Sequence, residues 1–435
     1  MVSAGARKRS AKQKSPRRIV QKYGGTSVGS TDRILAVAER VRASHAAGVE
    51  TAVVVSAMSG ETNRLIALAS DVNPDPHDRE LDVLVSTGEQ VTSALLTMAL
   101  HKLGVPAVSL QGHQIRIATD SSYGRARIKS IDVSRMKEAF AAGQVVVVPG
   151  FQGMDEEENI TTLGRGGSDT TAVAVAAALE ADACEIYTDV DGVYTTDPRI
   201  CADAVKLARM SYDEMMELAS LGTKVLQIRS VECASRYAVP VHVRSSFNDN
   251  EGTWVVPTEE EMEDVLVSGV AYDKNQAKIT LQGVPDRPGL AASIFGPLAE
   301  ASIVIDMIVQ NVSREDGLTN LTFTVDAADL PAAAKKVDDI VADLGLQGVI
   351  SSGHVAKVSV AGLGMRNHAG VAARMFEVLA EEGVNIQMIS TSEIKISVVV
   401  DLDDVDRAVK ALHGAFVTSS DTADSVSDPT SREAG

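Results

Sequence analysis

Up to about residue 250, short apolar, β-branched runs alternate with longer stretches in which apolar residues recur every three or four positions. The runs Arg18–Tyr23, Thr51–Ala57, Gln144–Val148 and Cys184–Asp189 predict strands. The stretches Thr31–Ala46, Glu80–Leu103, Asp132–Ala142 and Asp169–Glu180 predict helices. Alternation at this spacing predicts an α/β unit over residues 19–247, a mostly parallel central sheet covered by helices on both faces. Residues 248–264, rich in Asn, Asp, Gly, Pro and Glu, read as a linker, and beyond them the rhythm changes. Ile279–Gly283 leads through Asp286-Arg-Pro-Gly-Leu290 and an apolar helix to Ile303–Asp306. Val358–Gly362 leads through Met365-Arg-Asn-His-Ala-Gly370 and a helix to Val384–Gln387. Leu321–Val325 and Ile394–Val400 add third strands, Leu330–Leu344 and Asp404–Phe416 second helices. The repeat predicts two ferredoxin-like βαββαβ modules, residues 265–348 and 349–417.

Composition narrows the class. The 435-residue chain carries a formal net charge of −18, which argues against nucleic acid, because neutralising phosphates needs a basic surface. No apolar run approaches the length of a bilayer span, so no membrane is expected. Cys184, Cys201 and Cys233 have no CxxC spacing and fit small buried side chains in a reducing, cytoplasmic compartment. Residues 1–18 hold seven Lys and Arg and no acid, and are expected to be a disordered basic tail without an apolar signal core. Residues 418–435, rich in Ser, Thr and Asp, are expected to be disordered as well.

The richest chemistry lies in Thr161-Thr-Leu-Gly-Arg-Gly-Gly-Ser-Asp-Thr-Thr171, three glycines around one arginine ahead of an alanine-rich run. Glycines let backbone approach an anion, a helix start aims unpaired N–H groups at it, and Arg165 adds a planar fork for carboxylate or phosphate. Lys22-Tyr-Gly-Gly-Thr-Ser27 follows the first strand and offers a point charge beside close-approach amides, suited to a polyphosphate. It has neither Walker A nor GxGxxG spacing. Ser56-Ala-Met-Ser-Gly60 sits at the end of the second strand, where open α/β sheets place ligands. Thr87-Gly-Glu89, taken alone, reads as a carboxylate favoured at a helix start. Tyr187-Thr-Asp-Val-Asp-Gly-Val-Tyr-Thr-Thr-Asp-Pro-Arg199 joins a strand to a loop of acids, glycine and hydroxyls without EF-hand or zinc spacing. Gly222-Thr-Lys224 supplies a second lysine. A glycine turn before a helix, repeated in both C-terminal modules, points to two small-ligand sites.

In this order and combination, these motifs and the two repeats resemble the aspartate kinases over roughly residues 19–417. The resemblance implies an amino-acid kinase fold followed by two ACT domains. It implies phosphoryl transfer from ATP to the side-chain carboxylate of L-aspartate, giving 4-phospho-L-aspartate, the first step of lysine, threonine and methionine biosynthesis. A carboxylate is already ionised at neutral pH, so no general base is required, in keeping with eight histidines that form no catalytic constellation. The burden falls on positioning and charge neutralisation.

The resemblance also implies roles for individual residues. Lys22, Asp169 and Lys224 would be the catalytic set, two cationic clamps and a carboxylate that orients them. ATP would meet Lys22, Tyr23, Gly24, Gly25, Ser56, Gly166, Gly167, Thr188 and Asp189, together with the run Tyr194, Thr195, Thr196, Asp197, Pro198 and Arg199. Aspartate would meet Thr62, Glu89, Arg165 and Ser168, with Arg165 on the α-carboxylate and Glu89 on the ammonium. Mg²⁺ would arrive with ATP, held through the phosphates and not by protein ligands. The ACT pair implies feedback inhibition by lysine, threonine or both. Matching positions are Asp286, Ala291, Val304, Ile305, Asp306 and Gln310 in the first module. In the second they are Val371, Ala372, Asn385, Ile386, Ser392 and Glu393. Ala372 stands where some lysine-plus-threonine-inhibited relatives carry threonine, a departure that bears on effector response. A homo-oligomer through the ACT domains is implied, with Met262 a candidate internal start for a shorter subunit.

Two other readings compete. Another amino-acid kinase could share the phosphate cradle, although Arg165 placed with Glu89 favours aspartate. An amino-acid sensor without turnover would not need Lys22, Arg165, Asp169 and Lys224 together.

Overall fold

The structure, a computed structural model, describes residues 17–221, 225–258, 267–310, 317–368 and 370–417. Internal contacts group residues up to Gly192 with Arg229–Pro257 in one unit, and Val193–Ile228 with the chain from Thr258 onward in another. The basic tail up to residue 16, Lys224, Met262 and the tail from residue 418 lie outside the described residues.

Seven strands of the first unit form one sheet, in the order Thr253–Val256, Val241–Ser245, Ala183–Thr188, Arg18–Tyr23, Glu50–Val55, Val145–Pro149, Ala107–Ser109. All pair in parallel except Thr253–Val256, which runs antiparallel to Val241–Ser245. Val53, Val55, Val145 and Val147 join a core with Ile34, Val37 and Val41 of helix Thr31–Ala46 and Leu96 and Leu100 of helix Asp78–Lys102. The alternate residues Ala52, Val54, Val146 and Val148 are equally buried. Both faces are therefore covered, which is why these strands read as unbroken apolar runs. Helix Gly167–Leu179 packs against Arg18–Tyr23, Glu50–Val55 and Ala183–Thr188. A second sheet of short strands has the order Ile128–Ser130, Ala118–Thr119, Gln152–Met154, Ile160–Thr162.

Two expectations need correction here, and one helix is additional. Thr253–Val256, inside the stretch read as linker, is a sheet strand; its Thr-Trp-Val-Val sequence outweighs the turn formers around it. Helix Asp78–Lys102 is long and apolar enough to cross a bilayer by length and composition, contrary to the sequence reading, yet more than half of its apolar window is buried, the arrangement of a core helix. Helix Glu61–Val72 was not anticipated; it buries only Leu65 and so lacks a strong apolar stripe.

The second unit carries one antiparallel sheet of six strands, in the order Ile305–Gln310, Leu318–Asp326, Gly269–Pro285, Gly348–Ala361, Lys395–Asp401, Met388–Thr391. The two long central strands pair along their whole length, Gly269 opposite Ala361 at one end and Gln282 opposite Gly348 at the other. The modules are therefore nested. Residues 276–285 and 348–352 belong to the first βαββαβ unit, whereas residues 269–273 supply the last strand of the second, against residues 357–361. The boundaries 265–348 and 349–417 miss this exchange. The first module closes a core around Ile279, Ile294, Phe323 and Val337. The second closes one around Val270, Val358, Met375, Val398 and Leu412.

The second strands of both repeats also begin later than expected, at Ile305 and Met388. The residues assigned to their starts cap the preceding helices instead. Ile303 N–H donates to Leu298 O at 3.0 Å and Val384 N–H to Leu379 O at 2.8 Å, each just after a residue with positive φ, Ser302 or Gly383. This six-to-one bond with its buried apolar residue is a Schellman cap.

Candidate functional site

The parallel strands of the first unit end around a cavity of about 680 Å³, and most of the residues singled out in that unit line it. Lys22 comes from the end of Arg18–Tyr23, Ser56 from just past Glu50–Val55, and Thr188 from the end of Ala183–Thr188. Gly24, Gly25, Thr62, Glu89, Arg165, Gly166, Gly167, Ser168 and Asp169 complete the predicted set found there. A ligand site at the carboxyl ends of parallel strands is the usual arrangement of open α/β sheets.

The glycine-rich segment turns sharply into helix Gly167–Leu179. Gly166 caps it with φ +69°, a left-handed conformation that costs glycine little. Gly150 lets the end of Val145–Pro149 press against this turn, since a Cβ there would lie 2.8 Å from Ser168 Cβ. Asp169 thus falls in the first helical turn, where the macrodipole favours a carboxylate. It meets Lys22 Nζ at 2.6 Å, both side chains nearly buried. A charge pair so withdrawn from water is held in one geometry and leaves the ammonium aimed into the cavity wall. Arg165 is exposed at the mouth and, among the described residues, has no ion-pair or hydrogen-bond partner.

Glu89 is not at a helix start. It sits on the fourth turn of Asp78–Lys102, 4 % exposed, with Oε2 lacking any hydrogen-bond partner. Burial pushes its carboxyl up to about 7, against the opposing pull of the Ala57 N–H. A buried acid that titrates near neutrality and keeps one oxygen free is suited to receive a cation.

Sequence reasoning missed two members of the site. Asp82, one heptad before Glu89 and also on the cavity wall, accepts from Gly124 N–H at 2.9 Å, Thr162 N–H at 2.7 Å and Thr162 Oγ1 at 2.7 Å. It ties two loops to the helix, and its signal was a second acid on the same face at i, i+7. Phe151 lines the cavity with φ +70°, a strained conformation for an aromatic residue that no sequence pattern announces.

Tyr23 could meet a nucleotide only through its backbone. Its side chain is fully buried, stacked on Tyr187 at 4.7 Å with the hydroxyl on Gln21 Oε1, and does not face the cavity. Asp189 lies outside the lining and accepts from Thr188 Oγ1. Tyr194–Arg199 belong to the second unit, where Thr195 and Thr196 are buried. The Arg199 guanidinium holds the Asp197 carboxyl down at about 2.

Of the residues assigned to effectors, Asp286, Ala291, Val304, Gln310, Asn385 and Ser392 are exposed. Asp306 forms an ion pair with the buried Lys357. The side chain of Val371 fills the core of the second module and leaves its backbone for a ligand. Ala372 and Ile386 pack partly against the same core.

Comparison with known proteins agrees with this geometry. Residues 17–245 match the amino acid kinase family, and residues 279–342 and 358–416 each match an ACT domain. The aspartate kinase of Stutzerimonas stutzeri is 58% identical over 399 residues, which cover 92% of this chain and 97% of that protein. E. coli aspartokinase III bound to aspartate and ADP, in the R-state, superposes with a TM-score of 0.75 at 28% identity, covering 92% of this chain and 99% of that one. The same enzyme with lysine and aspartate, in the T-state, gives 0.73 at 28% identity over the same shares.

Proposed function

The chain belongs to the aspartate kinases, a family of phosphotransferases, and on that premise we propose how its residues divide the reaction and what regulates it. Aspartate occupies the first unit's cavity with its α-carboxylate on Arg165 and its ammonium on Glu89, beside Thr62 and Ser168. One oxygen of its side-chain carboxylate attacks the γ-phosphorus of ATP. The bond to the bridging oxygen of ADP breaks, and 4-phospho-L-aspartate forms. Lys22, fixed by Asp169, neutralises charge on the transferring phosphoryl group, and Lys224 shares that task by likeness to the family. The glycine turns supply backbone amides to the phosphates, and Tyr194–Arg199 contribute to nucleotide binding. Both carboxylate oxygens of Asp82 accept from the protein and Asp169 Oδ1 pairs with Lys22, which fits a Mg²⁺ held through ATP.

The observation that carries this reading is one cavity holding an oriented buried lysine, an unpartnered arginine and a buried acid that titrates near neutrality. The α-carboxylate and ammonium of an amino acid match the last two in charge.

The product feeds lysine, threonine and methionine biosynthesis, and lysine, threonine or both act as feedback effectors at the paired modules. The E. coli enzyme that binds lysine in its T-state supports lysine first. Oligomerisation through the modules would cover the exposed Ile308, Ile350 and Ile389 of their sheet, and Val304 just ahead of it. A shorter subunit started at Met262 would carry these same modules. The free thiols of Cys184, Cys201 and Cys233 suit a cytoplasmic setting.

Hydroxamate formation from ATP and amino acid tests the assignment, with lysine and threonine added singly and together. Product with aspartate but not glutamate is expected. ATP and amino-acid binding without product would replace the enzyme by a sensor.

A further inference from the structure

The segment after the Ala183–Thr188 strand is pinned by residues that belong neither to the phosphate cradle nor to the effector positions. His413, on helix Val405–Phe416, is 1 % exposed, and its Nε2 lies 2.8 Å from Thr195 Oγ1. Its Nδ1 faces Cys201 Sγ at 3.6 Å. Thr195 Oγ1 also accepts from Val205 N–H at 2.9 Å, so one hydroxyl joins three segments. The Thr195 backbone closes the same junction, its N–H donating to Val205 O at 2.9 Å and its carbonyl accepting from Val270 N–H at 2.7 Å. Val270 lies on the strand that completes the second module. From that strand Tyr272 OH donates to Asp197 Oδ2 at 2.8 Å, and Ile200 packs against the module's core.

A buried imidazole with both ring nitrogens engaged is a costly group in an otherwise apolar helix face. Leucine would serve packing alone. The imidazole adds a fixed position for Thr195, and Tyr272 does the same for Asp197.

We propose that His413 and Tyr272 are positioning residues for the nucleotide-binding segment, so that the packing of the second module sets affinity for ATP. The proposal rests on the reading of Tyr194–Arg199 as nucleotide-binding. Each side chain acts through a neighbour that meets the nucleotide. A displacement of helix Val405–Phe416 or of residues 269–273 is thereby transmitted to Thr195 and Asp197 without an intervening element.

The test compares full-length wild type with His413→Leu, His413→Gln and Tyr272→Phe. The readouts are ADP affinity by calorimetry, separate KM values for ATP and aspartate, kcat and Tm. Loss of the Thr195 contact should raise the ADP Kd and the ATP KM about 5- to 10-fold in His413→Leu, the scale of one buried hydrogen bond. The aspartate KM and kcat should stay within about twofold. His413→Gln, whose amide can reach Thr195 Oγ1, should recover most of the loss, which a purely structural role would not give. Tyr272→Phe, a milder change at a half-buried position, should weaken ADP binding about 3-fold. Unchanged ADP affinity in both His413→Leu and Tyr272→Phe would overturn the proposal. So would a His413→Gln defect equal to that of His413→Leu and confined to Tm. Wild type that binds ADP but yields no acyl phosphate would defeat the functional reading, while the ADP affinity ratios still decide the role of His413. Wild type that binds no ADP would defeat both.

Discussion

Lowering the pH from 8 to 6 should weaken aspartate binding about tenfold through one residue, Glu89. Its burial raises the carboxyl from an ordinary 4.5 to about 7, and its free Oε2 is the group assigned to the substrate ammonium. Only the ionised form attracts that ammonium. At pH 8 roughly nine tenths of Glu89 is ionised and at pH 6 roughly one tenth, so the apparent affinity falls by about that ratio. Stability moves the other way. Because the folded protein holds the proton more tightly than the unfolded chain, ionising Glu89 costs the ligand-free protein stability as pH rises from about 4.5 through 7. At ~1.4 kcal/mol per pH unit the full effect is roughly 3 kcal/mol. The assay is the aspartate KM across pH 6–8 at saturating ATP, beside Tm of the ligand-free protein, for wild type and Glu89→Gln. The variant should bind aspartate poorly at every pH and lose the pH dependence of both quantities. A wild-type KM that is flat across this range, or a Glu89→Gln profile that keeps the wild-type slope, would refute the argument.

Lys22→Ala should lower kcat by ~100-fold or more while far-UV circular dichroism stays native, the scale of losing a preorganised charge at the transferring group; near-normal turnover would remove Lys22 from the mechanism. Arg165→Lys should raise the aspartate KM by about tenfold or more with the ATP KM little changed, because a point charge cannot replace a bidentate fork. A defect confined to ATP would reassign the residue. Ser392 is exposed, with its N–H donating to Lys395 O at 2.8 Å, so Ser392→Tyr should fold normally. It should relieve inhibition by lysine or threonine in the hydroxamate assay, and unchanged inhibition would move the effector site elsewhere.

The parallel strands were legible because burial on both faces leaves unbroken valine runs, as at Val145–Val148. Helix Leu330–Leu344 was legible because it keeps a regular apolar stripe over Ala333, Val337 and Ile340. Short strands such as Ala118–Thr119 and Ile160–Thr162 have too few residues to show a period. The glycine-rich turn, Lys22 and Arg165 stood out because anion binding leaves a local signature of glycine and fixed charge. Glu89 stood out only as part of a motif, and its place was misread, since a mid-helix carboxylate looks the same in sequence as one at a helix start. Asp82 went unseen because its partners, Gly124 and Thr162, are distant in the chain. The nesting of the modules was invisible for the same reason, as residues 269–273 meet residues 357–361 only in the folded sheet.

That nesting has a consequence for biosynthesis. As the ribosome extends the chain, the segment 269–273 emerges well before residues 357–361, so it must wait, unpaired along that edge, until nearly the whole C-terminal half exists. The first module can close early on its own residues, but the second matures only when translation is almost complete. A polypeptide begun at Met262 includes the waiting strand and can form both modules. One begun a dozen or so residues later, past Asp273, would leave the second module with an open edge. Any shorter product that is to close both modules must therefore start ahead of Gly269.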